Sequence, residues 1–170
     1  MRIELSKSAI RSLRMSDAPN VVKHGNNFNV WINLTDRFPH PYTLKHARTW
    51  LKQHVGTTPE TSFAIEVEGA FAGEIGFNPQ QAERRLCAEI GYWLGEEYWG
   101  VGIATEAVRA MTEYLFAKQN LVRLYAHVFE WNSASIRVLE KCGYIREAIL
   151  RRGVIKNDRI IDEVIYAFVR

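Results

Sequence analysis

The chain has 170 residues, and its 22 lysines and arginines against 19 aspartates and glutamates give a formal net charge of +3. This length fits one domain, and 47% hydrophobic with 24% charged residues is the composition of an ordinary globular protein, which excludes a disordered chain. No run of about 18 apolar residues is present. The opening MRIELSKSAI carries charges where a signal peptide needs an apolar core, so we expect a cytoplasmic protein with no membrane partner.

The charge and the cysteines exclude further classes. A charge of +3 is too small and too dispersed to indicate a nucleic-acid partner, because duplex-binding proteins concentrate lysine and arginine on one face. Cys87 and Cys142 form no CxxC pair, and the five histidines include no HExxH motif. We therefore expect neither nucleic acid nor a metal ion, while a small anionic ligand is compatible with the composition.

The first half of the chain predicts two helices followed by a hairpin. Apolar and polar residues alternate weakly at the start of the chain. A helix is then predicted to begin around residues 16–19, because proline is tolerated in a first turn and Pro19 would lie there, and to run towards residues 25–27. Residues 37–42 contain two prolines and predict an ordered aromatic loop. Thr43 caps a helix ending near Gly56. Two strands over 63–67 and 70–77, joined by a turn with a glycine, complete this half.

The second half alternates strands with helices. The predicted elements are a strand over 86–94, a helix over 104–116, a strand over 122–129, a helix over 132–142 and a hairpin of strands over 144–151 and 163–169. No repeat or linker divides the sequence. We therefore predict a single mixed α/β domain over residues 1–170.

Two glycines lie between a predicted strand and a predicted helix. Gly100 and Gly102 expose backbone N–H groups where the helix begins, which suits a pyrophosphate. No Gly-Lys-Ser/Thr follows, and the third glycine of a dinucleotide fingerprint is missing. Taken alone, the pattern fits a phosphate-binding loop and a plain strand-to-helix turn equally well.

The loop and its surroundings resemble a known family. The segment 99–104 (WGVGIA) is similar to the acyl-CoA phosphate loop of the GNAT superfamily of N-acetyltransferases, whose pattern is Gln/Arg-x-x-Gly-x-Gly/Ala. Gly102 and Ala104 match this pattern, and Trp99 replaces the Gln/Arg. The flanking AEIGYWL and ATEA, the later NSAS and KCGY, and the earlier FPHPYT resemble the RimJ/RimL-like branch, which acetylates the N-termini of ribosomal proteins. Together these blocks cover about the whole chain.

The resemblance implies a fold, a co-substrate and a cofactor site. The fold would be the GNAT acyl-CoA N-acyltransferase fold, in which helices flank a mixed, mostly antiparallel sheet with a splayed strand pair at the cofactor site. Acetyl-CoA would donate its acetyl group to a primary amine by direct attack, without a metal. The implied cofactor-binding residues are Tyr92, Trp93, Leu94, Trp99, Gly100, Val101, Gly102, Ile103, Ala104, Thr105, Asn132 and Ser135.

The resemblance also suggests catalytic groups. Many relatives use a tyrosine as the acid at the position of Leu139, so we take Ser135 as its substitute; alternatively Ser135 is only a small residue that admits the cofactor. Glu89 lies in a strand between apolar neighbours, where it would be a base acting through water or a structural hydrogen-bond acceptor. Asn132 would contact the pantetheine arm, cap its helix, or do both. A second glutamate used by some relatives aligns here with Val154.

Proton affinity favours one class of acceptor. Removing the proton from an α-amine with a pKa of about 7.7–8.0 costs roughly 0.5 kcal/mol at cellular pH, whereas a lysine at about 10.4 costs roughly 4 kcal/mol. A weak base therefore suffices for a protein N-terminus, or for a small amine of low pKa.

Four residues are assigned to the acceptor pocket, namely Asn27, Phe38, His40 and Tyr42, although the aromatic ones would serve equally in core packing. The expected partner is a peptide or small-molecule amine. A small-amine acetyltransferase and a non-catalytic acyl-CoA sensor are the alternatives. The C-terminal hairpin makes a homodimer plausible by analogy.

Overall fold

The computed structural model describes residues 1–170 and shows one eight-stranded sheet in the order β1-β2-β3-β4-β5-β6-β8-β7. The strands are β1 Arg2–Glu4, β2 Ala9–Ser12, β3 Ser62–Val67, β4 Ala70–Pro79, β5 Cys87–Leu94, β6 Arg123–Phe129, β7 Ile145–Lys156 and β8 Arg159–Val169. The α-helices are α1 Ala18–Gly25, α2 Phe28–Trp31, α3 Leu44–His54, α4 Ile103–Lys118 and α5 Ser133–Lys141. The pairing is mostly antiparallel, but β5 runs parallel to β6.

The chain divides into two compact units, and the first consists of Met1–Gly76 and Tyr92–Ala107. Its helices α1 and α3 begin as the sequence predicts: Pro19 lies in the first turn of α1, and the Thr43 hydroxyl accepts a hydrogen bond from the His46 N–H at 3.4 Å. Apolar side chains of both helices pack with the hairpin β3–β4 and the end of β5. The buried members of this core include Val21, Ala47, Leu51, Ala64, Phe71 and Trp93.

A buried cluster of charged side chains connects the N-terminal part of the first unit to its sheet. Arg11 is 2% exposed, and its guanidinium donates hydrogen bonds to both Asp17 and Glu66. Burial alone would raise the pKa of Glu66, but hydrogen bonds from Arg11 and Arg2 hold it below its ordinary value. The cluster joins β2, β3 and the short 3-10 turn before α1, because each of these elements supplies one of its charges.

The second unit consists of Phe77–Gly91 and Val108–Arg170. In it β6 pairs with β8 over seven residues, and β8 pairs with β7. Met111 and Leu115 on α4 are fully buried, and the Thr112 hydroxyl hydrogen-bonds the Tyr144 hydroxyl at 2.8 Å. Strand β5 pairs with β6 over three residues only, Cys87–Glu89 with Arg123–Tyr125.

The predicted strands and long helices are confirmed, with three differences. Strands β1 and β2 are missing from the prediction, because the sequence there alternates only weakly between apolar and polar residues. The short helix α2 is missing from the prediction, because four residues are too few to show a hydrophobic period. Strands β7 and β8 reach further towards each other than predicted, to a turn at Asn157 and Asp158, whose φ angles are +48° and +59°. Asparagine and aspartate tolerate this left-handed conformation, and such a pair is typical of a two-residue hairpin turn.

Candidate functional site

The glycine loop leads directly from β5 into α4. Gly100 and Gly102 have φ angles of +78° and +94°, a conformation that residues with a side chain rarely adopt. The Glu106 N–H makes an intrahelical bond to the Gly102 carbonyl at 3.1 Å, so the amides just before it open α4. Gly100, Val101 and Gly102 are exposed. A helix N-terminus presented in this way suits an anionic group.

Side chains from outside the loop hold it in place. The Trp99 indole N–H donates to the Leu94 carbonyl at 2.7 Å, so this residue anchors the loop to the end of β5. The Lys7 ammonium donates to the Val101 carbonyl at 2.7 Å and places a positive charge beside Gly102. Sequence reasoning missed Lys7, since no motif surrounds it.

Two acidic residues just before the loop are bound by α1 and α2. Glu96 accepts hydrogen bonds from the side-chain amides of Asn27 and Asn29 at 2.6 and 2.8 Å. Glu97 pairs with Lys23 at 2.7 Å, and this contact lowers the pKa of Glu97. Asn27 also caps α2 through the Asn29 and Val30 N–H groups. Asn27, which the sequence analysis assigns to the acceptor pocket, therefore also contacts the segment just before the glycine loop.

The predicted acceptor aromatics form two stacked pairs. The rings of Phe38 and Tyr42 stack with centroids 4.1 Å apart, and Trp93 meets Phe38 edge-on at 5.7 Å. His40 stacks on Trp31 at 4.9 Å. Tyr42 is buried, Phe38 is half-buried and His40 is exposed. Tyr42 is therefore part of the packed core, whereas His40 is accessible at the surface.

A carboxylate that sequence reasoning missed lies next to these rings. Glu74 on β4 accepts a hydrogen bond from the Ser62 hydroxyl at 2.5 Å and another from the Trp93 indole. Burial raises the pKa of Glu74. Burial and the charge of Glu74 raise the pKa of Tyr42 to about 12. The signal was present in the sequence, since Glu74 is the only charge in the buried strand AFAGEIGF.

The second unit holds the other predicted site residues. The Asn132 side-chain oxygen accepts the Ser135 N–H at 3.1 Å, so Asn132 caps α5. Both residues are half-buried. Leu139 is fully buried, in keeping with an apolar packing role.

Glu89 also belongs to the second unit. It is half-buried and stands in register with Tyr125 on β6. Burial first, and then the charge of Glu89, raise the pKa of Tyr125. Glu89 is therefore close enough to Tyr125 to affect the ionisation of that phenol.

The structure thus groups the predicted residues within each unit. The first unit brings together the loop 99–105, the strand end 92–94 and the aromatic cluster, and the second holds Glu89, Asn132 and Ser135. No three histidine, cysteine, aspartate or glutamate side chains lie together so that they could hold a metal ion. No helix is long and apolar enough to cross a membrane.

Comparisons with known proteins agree with this geometry. Residues 9–145 match the family model described as the acetyltransferase (GNAT) domain. An uncharacterized N-acetyltransferase p20 of Bacillus licheniformis is 33% identical over 169 residues, covering 95% of this chain and 92% of that protein. The ribosomal-protein-serine acetyltransferase of Escherichia coli is 32% identical over 105 residues, 62% of this chain and 58% of that protein.

A solved structure gives the same fold. A RimL ribosomal-protein alpha-N-acetyltransferase in complex with coenzyme A superposes with a TM-score of 0.87 at 19% identity, covering 99% of this chain and 98% of that one. The mixed sheet with its five helices is therefore the predicted GNAT fold. The ribosomal-protein-serine acetyltransferase of Escherichia coli supports the predicted branch.

Proposed function

Because the chain belongs to the GNAT acetyltransferase family and is an N-acetyltransferase, we propose that it transfers the acetyl group of acetyl-CoA to the N-terminal α-amine of a protein or peptide. The family match runs through parts of both compact units, which supports one catalytic domain over residues 1–170. The ribosomal-protein acetyltransferase of Escherichia coli supports the acceptor class. A cytoplasmic location agrees with such an acceptor.

The exposed glycine loop is the observation that carries this proposal. Its backbone N–H groups are fixed at the start of α4 by two positive φ angles, and Lys7 adds a positive charge beside them. This donor set fits the pyrophosphate of acetyl-CoA. Tyr92, Trp93 and Leu94 at the end of β5, with Asn132 and Ser135 at the start of α5, would bind the pantetheine arm.

The reaction requires the chain to supply a proton acceptor, a proton donor and a binding site for the amine. The amine nitrogen attacks the thioester carbonyl carbon, a C–N bond forms, and the C–S bond breaks with release of coenzyme A. Glu89 would accept the ammonium proton, directly or through water, before the attack. Ser135 would donate a proton to the departing thiolate and recover one from the attacking nitrogen, which loses a further proton as the amide forms. The acceptor would contact Asn27, Phe38, His40 and Tyr42.

Acetylation of an unbiased peptide library tests the proposal. Each peptide is supplied with a free and with a blocked N-terminus, and the mass gain is measured alongside coenzyme A release. We expect mass gain only on free N-termini, in step with coenzyme A release, because an α-amine loses its proton at a cost of roughly 0.5 kcal/mol against roughly 4 kcal/mol for lysine.

Two results would contradict the proposal. Coenzyme A release with small amines only would assign a small-molecule acceptor instead. Binding of acetyl-CoA without release in the presence of any amine would identify a non-catalytic sensor.

A further inference from the structure

The carboxylate of Glu74 is enclosed without an ion-pair partner. Its two hydrogen-bond donors, the Ser62 hydroxyl and the Trp93 indole, are both neutral. The titratable groups facing it are Tyr42, from the aromatic loop, and His54, at the end of α3. The His54 Nδ1 is engaged with the Trp50 carbonyl oxygen at 2.8 Å. No lysine or arginine forms a salt bridge with Glu74.

Such a carboxylate is an unfavourable feature unless something binds to it. Removing a charge from water is costly, and two neutral hydrogen bonds return only part of that cost. The raised pKa of Glu74 expresses this imbalance. A ligand cation beside the carboxylate would restore the missing interaction, and Glu74 as a whole residue is partly exposed.

The surrounding rings favour the same kind of ligand. Trp93 touches Glu74 through its indole N–H and meets Phe38 edge-on, and Phe38 stacks on Tyr42. The faces of aromatic rings attract ammonium groups, and tryptophan does so most strongly. An enclosed carboxylate beside the rings of Trp93 and Tyr42 is therefore suited to a primary ammonium group.

We propose that Glu74 binds the acceptor amine in its ammonium form, as a specificity-determining residue on the acceptor side of the enzyme. The inference rests on the proposed function and sharpens it, because it makes a cationic amine the form that binds. Glu74 selects positively charged acceptors, and Trp93 and Ser62 hold its carboxylate in place for this purpose. The residue acts in acceptor binding and leaves acetyl-CoA binding unaffected.

Steady-state kinetics of Glu74→Gln test the proposal. Glutamine keeps the shape and an oxygen for both donors, so we expect a folded enzyme. The matched control is Glu68→Gln, which removes an exposed carboxylate from the turn of the same hairpin. The probe amines are a peptide with a free N-terminus, an N-blocked peptide with one lysine, and spermidine. For every amine that the wild type acetylates, we expect the amine KM to rise at least tenfold in Glu74→Gln, with the KM for acetyl-CoA within twofold of wild type.

A pH profile separates charge from shape. The amine KM of the wild type should rise as pH falls and Glu74 takes up a proton, whereas that of Glu74→Gln should lack this rise. Glu74→Asp, which keeps the charge, should recover part of the affinity. Unchanged tryptophan fluorescence in Glu74→Gln would show that Trp93 has kept its surroundings.

Several outcomes would overturn the inference. They are an amine KM in Glu74→Gln equal to that of Glu68→Gln, a fall in kcat alone, or an equal rise in both KM values. Acetylation of spermidine alone would overturn only the α-amine assignment, and the Glu74 comparison would then be made on spermidine. Absence of acetylation of all three amines would overturn both proposals.

Discussion

The surroundings of Glu66 and Glu74, two carboxylates on the hairpin β3–β4, shift their pKa values in opposite directions. Glu66 pairs with Arg11 and Arg2, and these contacts lower its pKa despite burial. Glu74 meets only the neutral donors Ser62 and Trp93, and burial raises its pKa. One hairpin therefore carries a carboxylate whose charge is satisfied inside the protein and another whose charge is not.

This contrast distinguishes charged groups that stabilise the fold, such as Glu66, from charged groups that are available to a ligand, such as Glu74. A buried charge that is fully paired contributes to the folded state and offers nothing to a substrate. An enclosed charge without an ion-pair partner weakens the folded state slightly and gains from binding an opposite charge. The glycine loop belongs with Glu74 among the groups available to a ligand, because Gly100, Val101 and Gly102 are exposed.

The largest effect should follow from removing the buried cation. Arg11→Met leaves Asp17 and Glu66 facing each other without the charge between them, and breaking such a buried pair costs about 3–5 kcal/mol. Urea unfolding measures this loss. Arg2→Met, at the exposed end of the same cluster, is the control and should have a much smaller effect. Equal losses in the two variants would contradict the structural role of the buried cluster.

Gly102→Val should damage cofactor binding while the fold persists. Valine at a φ of +94° is strained by about 1–3 kcal/mol, and relief of that strain displaces the amides of the loop. We expect the KM for acetyl-CoA to rise about tenfold or more while the amine KM changes little. Gly69→Val is the matched control, since Gly69 has a φ of +81° in the turn of β3–β4. A larger effect of the control on the acetyl-CoA KM would contradict the assignment of the loop.

The two carboxylates should also give opposite pH dependences of stability. The pKa of Glu66 is lower in the folded state, so its stabilising contribution is present above its unfolded pKa of about 4.3 and is lost as pH falls through the folded value. The pKa of Glu74 is higher in the folded state, so its contribution is present below the unfolded pKa and is lost as pH rises through the folded value.

Unfolding of Glu66→Gln and Glu74→Gln, compared with wild type from about pH 2 to pH 8, measures both pH dependences. At neutral pH Glu66→Gln should be less stable than wild type and Glu74→Gln at least as stable. The Glu74→Gln difference should shrink as pH falls towards about 4.3, and the Glu66→Gln difference should shrink mainly below about 4.3. A destabilised Glu74→Gln at neutral pH would mean that Glu74 belongs with the structural charges.

The smallest effect should come from the cap of α2. Asn27→Ala removes the side-chain oxygen that accepts the Asn29 and Val30 N–H groups, which costs about 1 kcal/mol. Asn29→Ala removes only a hydrogen bond to Glu96 and serves as the control. Thermal unfolding at matched pH compares the two. Equal effects would show that the contact with Glu96, rather than the cap, determines the loss.

Much of the fold could be predicted because its signals are local. Pro19, Thr43 and the turn at Glu68 and Gly69 fix element boundaries through their own backbone preferences. The helix α2 and the full length of β7 could not be predicted in this way, since their residues lack a clear hydrophobic period. They are determined by contacts with distant parts of the chain.

The candidate site was predictable only where a motif exists. The glycine loop and the cap at Asn132 were found from short patterns, and the structure shows both geometries. Lys7 was missed because its importance depends on a partner 94 residues away, at Val101. Glu74 stood out as the lone charge in a buried strand, but its partner Ser62, 12 residues away, could not be inferred. Such pairings follow from strand order, which no local pattern contains.

The hydrogen bonds from Asn27 and Asn29 to Glu96, and the ion pair of Lys23 with Glu97, have a consequence for grafting experiments. A designer who replaces residues 23–42 with those of a relative, to change which amine is accepted, also replaces the groups that hold the glycine loop. Compatible chimeras must therefore exchange residues 96 and 97 together with that segment. Libraries that vary the segment alone would lose cofactor affinity and acceptor preference together, and selection would discard useful acceptor variants.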